Sequence, residues 1–194
     1  MTKARKAKLI RRFRKIHRIS GLYLLIFFLV MAISGIMLGW KKNTNGYLLP
    51  NSQTGTTQNV AAWLSFDSLK TIAVKTLQDS IKFTGAPKIS KIDARPEKGI
   101  VKFVFKGHYV GIQLDGATGE VLQLAKRRSD LIENIHDGSV LDKTFGTERG
   151  IFKLIYTSLM GFSLVLFVIT GFWIWYGPKR INKRVRRNRI GWKM

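Results

Sequence analysis

Two stretches of this chain, Ser20–Trp40 and Leu154–Tyr176, run for 21 and 23 residues without a charge. At about 1.5 Å per residue each spans roughly 30 Å as a helix, the thickness of a bilayer's hydrocarbon core. Whatever else the chain builds is therefore attached to two membrane-spanning helices. The charges sit outside them: residues 1–18 hold nine Lys and Arg, residues 177–194 hold eight, and neither stretch contains an acid. The formal net charge of +23 is thus concentrated at the ends, and the middle, with seventeen basic against eleven acidic residues, is only mildly basic. With 45% hydrophobic residues gathered in this way, a disordered basic tail protein is excluded. The absence of cysteine excludes a disulfide framework, a thiolate metal site and a cysteine nucleophile.

Both basic clusters abut a span on its outer side, and positive charge is retained on the cytoplasmic face. The expected topology has both termini cytoplasmic and the intervening segment across a bacterial inner membrane, in the periplasm. Phe172, Trp173, Trp175 and Tyr176, followed by Lys179 and Arg180, give the aromatic-then-basic order of a membrane exit. The first span is longer than a signal peptide's apolar region, and Gly39-Trp40-Lys41-Lys42-Asn43 is a poor cleavage sequence, so a retained signal anchor is expected. Basic residues so placed are topology determinants and contacts for anionic lipids, and with no recognition motif beside them no nucleic-acid partner is expected.

Between the spans the pattern changes several times. Residues 43–62, rich in Asn, Thr, Gln and Gly, show no period and read as a linker, with packing against the domain left open. From Ser65, a capping residue, Phe66, Leu69, Ile72, Ala73, Thr76 and Leu77 recur at three- and four-residue steps, predicting an amphipathic helix to about Ile81. Four β-rich segments follow, Lys88–Arg95, Gly99–Lys106, Tyr109–Leu114 and Glu120–Ala125, separated by tight turns. Val101, Phe103 and Phe105 share one face, which the helix is placed to cover. The fold class expected is a membrane α-helical hairpin of two transmembrane helices carrying a small α+β periplasmic domain. Its parts are a basic arm (1–19), a first span (20–40), a linker (41–64), the domain (65–126), a juxtamembrane segment (127–153), a second span (154–176) and a basic tail (177–194).

The run Val110-Gly-Ile-Gln-Leu-Asp-Gly-Ala-Thr-Gly-Glu-Val-Leu122 resembles a PepSY domain, with its apolar strand, Asp, Thr-Gly turn, Glu and second apolar strand. In that turn Asp115 is placed to bond backbone amides, Thr118 precedes the bend, and Gly119 takes a positive φ. Lys15-Ile-His-Arg-Ile-Ser-Gly21, Ser34-Gly35, Asn134-Ile-His-Asp-Gly138 and Thr170-Gly-Phe-Trp-Ile-Trp-Tyr176 are similar to the PepSY-associated transmembrane family. Members of that family are often larger, with several spans and more than one PepSY module, whereas this chain has two spans and one module.

The resemblance implies a haem b protein that passes electrons across the inner membrane to ferric siderophores in iron acquisition. His17 and His136 would then be axial ligands, with Arg14 and Arg18 available to the haem propionates and Asp137 placed to orient the imidazole beside it. The residues alone leave other readings open: His17 as an interfacial anchor, and His136 as a polar contact near a helix end stopped by Gly138. His108 reads as a surface residue in a hairpin turn. Asp130, Glu133, Asp137 and Asp142 read as solvated charges. Because His17 and His136 precede different spans, they belong at opposite membrane faces, and one chain does not readily supply both ligands to one iron. A homodimer pairing each histidine with its twin would, and Gly35 with Gly39, together with Gly161, offers close-approach points for helices. The alternative is a non-catalytic accessory subunit without cofactor, whose domain and spans bind a larger membrane complex or a periplasmic partner.

Overall fold

A computed structural model describes residues 3–81, 87–147 and 149–190 of the chain. Two long helices dominate it, α1 (Lys3–Trp40) and α5 (Ile151–Ile190), and each contains a segment long and apolar enough to cross a membrane. The helical backbone does not stop at the apolar runs. α1 already begins in the basic arm, and α5 continues through Gly177 and Pro178. The helices pack antiparallel, since ascending positions of α1 meet descending positions of α5. Ile10 lies against Gly177, the Phe13 ring stacks on Trp173 at 6.3 Å, and Phe28 meets Phe167 edge-on at 5.3 Å.

At the head of α5 stands a short helix, α4 (Ser139–Phe145), for which the sequence shows no period. It holds Asp142, whose carboxylate accepts from the amides of Phe152 (3.0 Å) and Lys153 (2.8 Å), capping α5 from outside the helix. The Asp137 carboxylate pairs with Lys153 Nζ at 2.6 Å and accepts from the Ser139 amide at 2.9 Å.

The second unit of the chain, residues 34–136, contains the α+β domain. Its helix α2 (Phe66–Ile81) starts where Ser65 Oγ accepts from the Ser68 amide at 3.1 Å. Strands β1 (Ile89–Arg95), β2 (Ile100–Phe105), β3 (Val110–Asp115) and β4 (Val121–Lys126) form an antiparallel meander in the order β1-β2-β3-β4. Leu69, Ala73 and Leu77 of α2 recur every fourth residue and bury completely against Val101, Phe103, Phe105, Ile112 and Leu114. Burying each large side chain here contributes about 1.5–3 kcal/mol. Among the described residues this is a two-layer core, with one face of the sheet under the helix.

Its other face is polar and is covered by the linker. Asp93, Lys102, Gln113 and Gln123 stand side by side across the four strands. Lys102 Nζ donates to Ser52 Oγ at 2.7 Å, and Arg95 Nη1 donates to the same oxygen at 2.9 Å while its other nitrogens pair with Asp93. Burial, aided by the neighbouring Arg95, lowers the Lys102 ammonium to a pKa of about 8. The turn after β3 anchors the linker too. Asp115 Oδ1 accepts from the Ala117 and Thr118 amides at 2.8 and 3.0 Å, Oδ2 accepts from the amide and hydroxyl of Thr56, and Gly119 takes φ +74°. Burial alone would raise the Asp115 carboxyl, but these bonds outweigh it and hold the group below the ordinary carboxylate range.

Candidate functional site

His17 lies on α1 with its Nδ1 2.8 Å from Thr170 Oγ1 of α5. Thr170 is 1% exposed, and its hydroxyl is also 2.7 Å from the Leu166 carbonyl and 3.2 Å from that of Phe167. A carbonyl only accepts, so the single hydroxyl proton is given to the helix backbone, and toward the imidazole Oγ1 must accept. The Nδ1 atom is therefore the protonated one, and in the neutral ring the lone pair sits on Nε2. Phe167 packs against the ring at 4.6 Å between centroids, and Gly171 leaves room for its edge, since a Cβ there would stand 3.8 Å from Cε1.

His136 repeats this chemistry in the other unit. It is the last residue of α3 (Arg128–His136), and its Nδ1 lies 2.9 Å from Ser34 Oγ of α1. Ser34 is 5% exposed, and a mid-helix serine ordinarily returns its proton to the preceding turn, as Ser20 does to Ile16 at 2.7 Å. The following glycine again accommodates the ring: a Cβ on Gly35 would stand 3.4 Å from Cε1 and 3.9 Å from Nδ1. In both places a hydroxyl residue followed by glycine receives Nδ1 and the Cε1 edge of a histidine. Neither Nε2 has a hydrogen-bond partner among the described residues, and no buried side-chain nitrogen or oxygen there lacks one, so both Nε2 atoms are accessible.

Arg14 and Arg18 are exposed on α1. Gly35 gives its open side to an imidazole, whereas Gly39 and Gly161 face open space. Asp137 does not orient His136. Its oxygens are taken by Lys153 and Ser139, and the Ser34 hydroxyl does the orienting instead. Nor are the juxtamembrane acids simply solvated, since Asp130 accepts two bonds from Arg127 at 2.7 and 3.1 Å and Asp142 is 6% exposed. Among the described residues no cluster of three or more His, Cys, Asp or Glu could hold a metal ion. His108 lies in the turn between β2 and β3.

A family model described as the PepSY-associated TM region matches residues 4–193. The chain belongs to that family. No curated protein and no solved structure matches it. Family membership and two helices of spanning length identify a membrane PepSY protein, and the matched region takes in both histidine pairs and the whole sheet. Sequence reasoning missed Thr170 and Ser34 as the histidines' partners. The signal lies in the hydroxyl-glycine steps Ser34-Gly35 and Thr170-Gly171, but Ser20-Gly21 on the first span is a further such step whose glycine faces the Phe167 ring, so the step alone does not pick out a histidine's partner.

Proposed function

We propose that this PepSY-associated membrane protein binds haem b and transfers electrons, as a component of ferric-siderophore reduction in iron acquisition, with His17 and His136 as axial ligands. The observation that supports it is the Thr170 hydroxyl, whose proton is committed to the Leu166 carbonyl and which therefore fixes His17 with Nδ1 protonated and Nε2 free. Ligating histidines have this arrangement, in which a hydrogen bond at one ring nitrogen sets the tautomer and orientation of the other. An imidazole serving only as an interfacial anchor has no need of a buried partner that selects one tautomer.

Haem, when bound, supplies reversible one-electron iron chemistry. The chain's own residues present the Nε2 lone pairs, hold the rings against Phe167, Gly171 and Gly35, and offer the exposed Arg14 and Arg18 to the propionates. In this reading both termini are cytoplasmic, the sheet domain is periplasmic, and a homodimer or larger complex completes each iron's coordination.

The test is an absorbance spectrum and pyridine-haemochrome assay on detergent-purified protein made with adequate iron and haem. A reducible b-type Soret band that disappears in a His17→Ala/His136→Ala double variant is expected. Colourless wild-type protein would overturn the proposal and favour an accessory subunit acting through its domain and spans.

A further inference from the structure

Helix α4 is fastened to the head of α5 at three points, all within residues 137–194 of one unit. Asp142, in its middle, accepts from the Phe152 and Lys153 amides. First-turn amides point out of the helix end along its axis, so the middle of α4 sits at that end of α5. Just before α4, Gly138 (φ +77°) lies so close to the Tyr156 ring that an added Cβ would stand 2.8 Å from it. At the last residue of α4 the Phe145 ring packs on Phe152, with 5.2 Å between centroids. These partners, Phe152, Lys153 and Tyr156, straddle Leu154, where the uncharged run of the span begins. Helix α4 is thereby held at the depth where α5 enters the bilayer.

The surface that α4 turns outward is sorted by polarity. Leu141 and Phe145, one turn apart, are 41% and 65% exposed. Lys143 is exposed as well, roughly 160° around the helix from each of them. Asp142, the one acid of α4, is withdrawn from this surface, its oxygens taken by the two amides and the Thr147 hydroxyl. The preceding Asp137 is neutralised by Lys153 at 2.6 Å. Leu and Phe on one side, Lys on the other and the carboxylate turned inward form the pattern of a segment that lies in a membrane interface, its apolar side at the boundary of headgroups and acyl chains. We propose that α4 is an interfacial foot: Leu141 and Phe145 enter the bilayer surface at the end of α5 remote from the basic tail. Position favours lipid over a protein partner, because the apolar side of α4 joins the span itself through Phe152, at the start of the segment long and apolar enough to cross the membrane. This surface is separate from the histidines and needs no haem.

The chain has no cysteine, so single nitroxide labels can be placed through Leu141→Cys, Lys143→Cys and Phe145→Cys in the full-length protein in nanodiscs. All three positions are exposed, and the labelled chains are expected to keep the wild-type thermal transition. Power-saturation EPR compares collision of each label with oxygen, which concentrates among acyl chains, and with a water-soluble nickel chelate. Oxygen is expected to exceed the chelate severalfold at 141 and 145, and the order is expected to reverse at 143. Chelate access at all three positions would place this face in water and overturn the proposal. Labels at 141 and 145 shielded from both reagents would overturn it too, by showing that a second copy or another protein covers the face.

Discussion

The two histidine pairs use one local chemistry on two different supports. His17 and Thr170 sit on helices of 38 and 40 residues, and the ring is flanked by Phe167. His136 ends a helix of nine residues whose hold on its surroundings is mostly polar: Arg127 to Asp130, the Ser129 amide to the Leu48 carbonyl, and Asn134 to the Tyr109 hydroxyl at 3.1 Å. The glycine contact is also tighter at His136, 3.4 Å against 3.8 Å for an added Cβ. One imidazole is thus positioned by the spans themselves, and the other depends on the sheet domain's unit being folded.

That contrast is open to direct tests. The largest effect is expected from the histidines taken singly. If each nucleates its own haem site, His17→Ala and His136→Ala each remove about half of the haem per chain, measured as pyridine haemochrome; either one removing all of it would merge the two sites into one. Next comes Phe103→Ala, which empties the centre of the α2–sheet core and costs about 3–5 kcal/mol. Thermal unfolding should show the domain transition lowered, with the His136-dependent share of haem lost and the His17-dependent share kept. Thr170→Val and Ser34→Ala remove the hydroxyl partners and leave the ligands. Each is expected to weaken haem retention about 10- to 100-fold, read by transfer to apomyoglobin, the typical cost of losing a group that orients a ligand.

The smallest effect concerns the polar face of the domain alone. Lys102 titrates near 8 in the folded chain, below its ordinary 10.5. Between those values the unfolded chain binds more protons, so domain stability should rise as pH climbs from about 8 towards 10.5 and should not respond to this group well below 8. A Lys102→Met variant compared with wild type over that window isolates the contribution, and equal slopes would show that burial does not depress this lysine.

The fold is legible in the sequence where one physical signal dominates. The uncharged runs give the spans, Leu69, Ala73 and Leu77 give the helix face, and alternation through Val101, Phe103 and Phe105 gives the sheet's buried side. Less legible is anything that depends on a polar residue finding a distant partner. Neither the linker's period nor its composition shows that Ser52, Gln53 and Thr56 cover the second face of the sheet, because their bonds run to Lys102, Gln113 and Asp115, some 50 to 60 positions away. The same holds for the histidines. Each has a charged or carboxylate neighbour in sequence, which made Asp137 an attractive orienter, yet the oxygens that receive their Nδ1 atoms lie 153 and 102 positions away. Helix α4 is not legible in the sequence because seven residues are too few to display a period.

The meander order of the sheet also bears on how the chain is made. Every strand pairs with its immediate neighbour in sequence, so each pairing closes only a short loop and little chain entropy is lost before contacts form. Helix α2 precedes all four strands and is available to cover them in turn. The domain can therefore assemble in the order of its synthesis, complete before the second apolar run has left the ribosome. Its hydrophobic surface is then covered early, when an unfinished membrane protein is most exposed to aggregation.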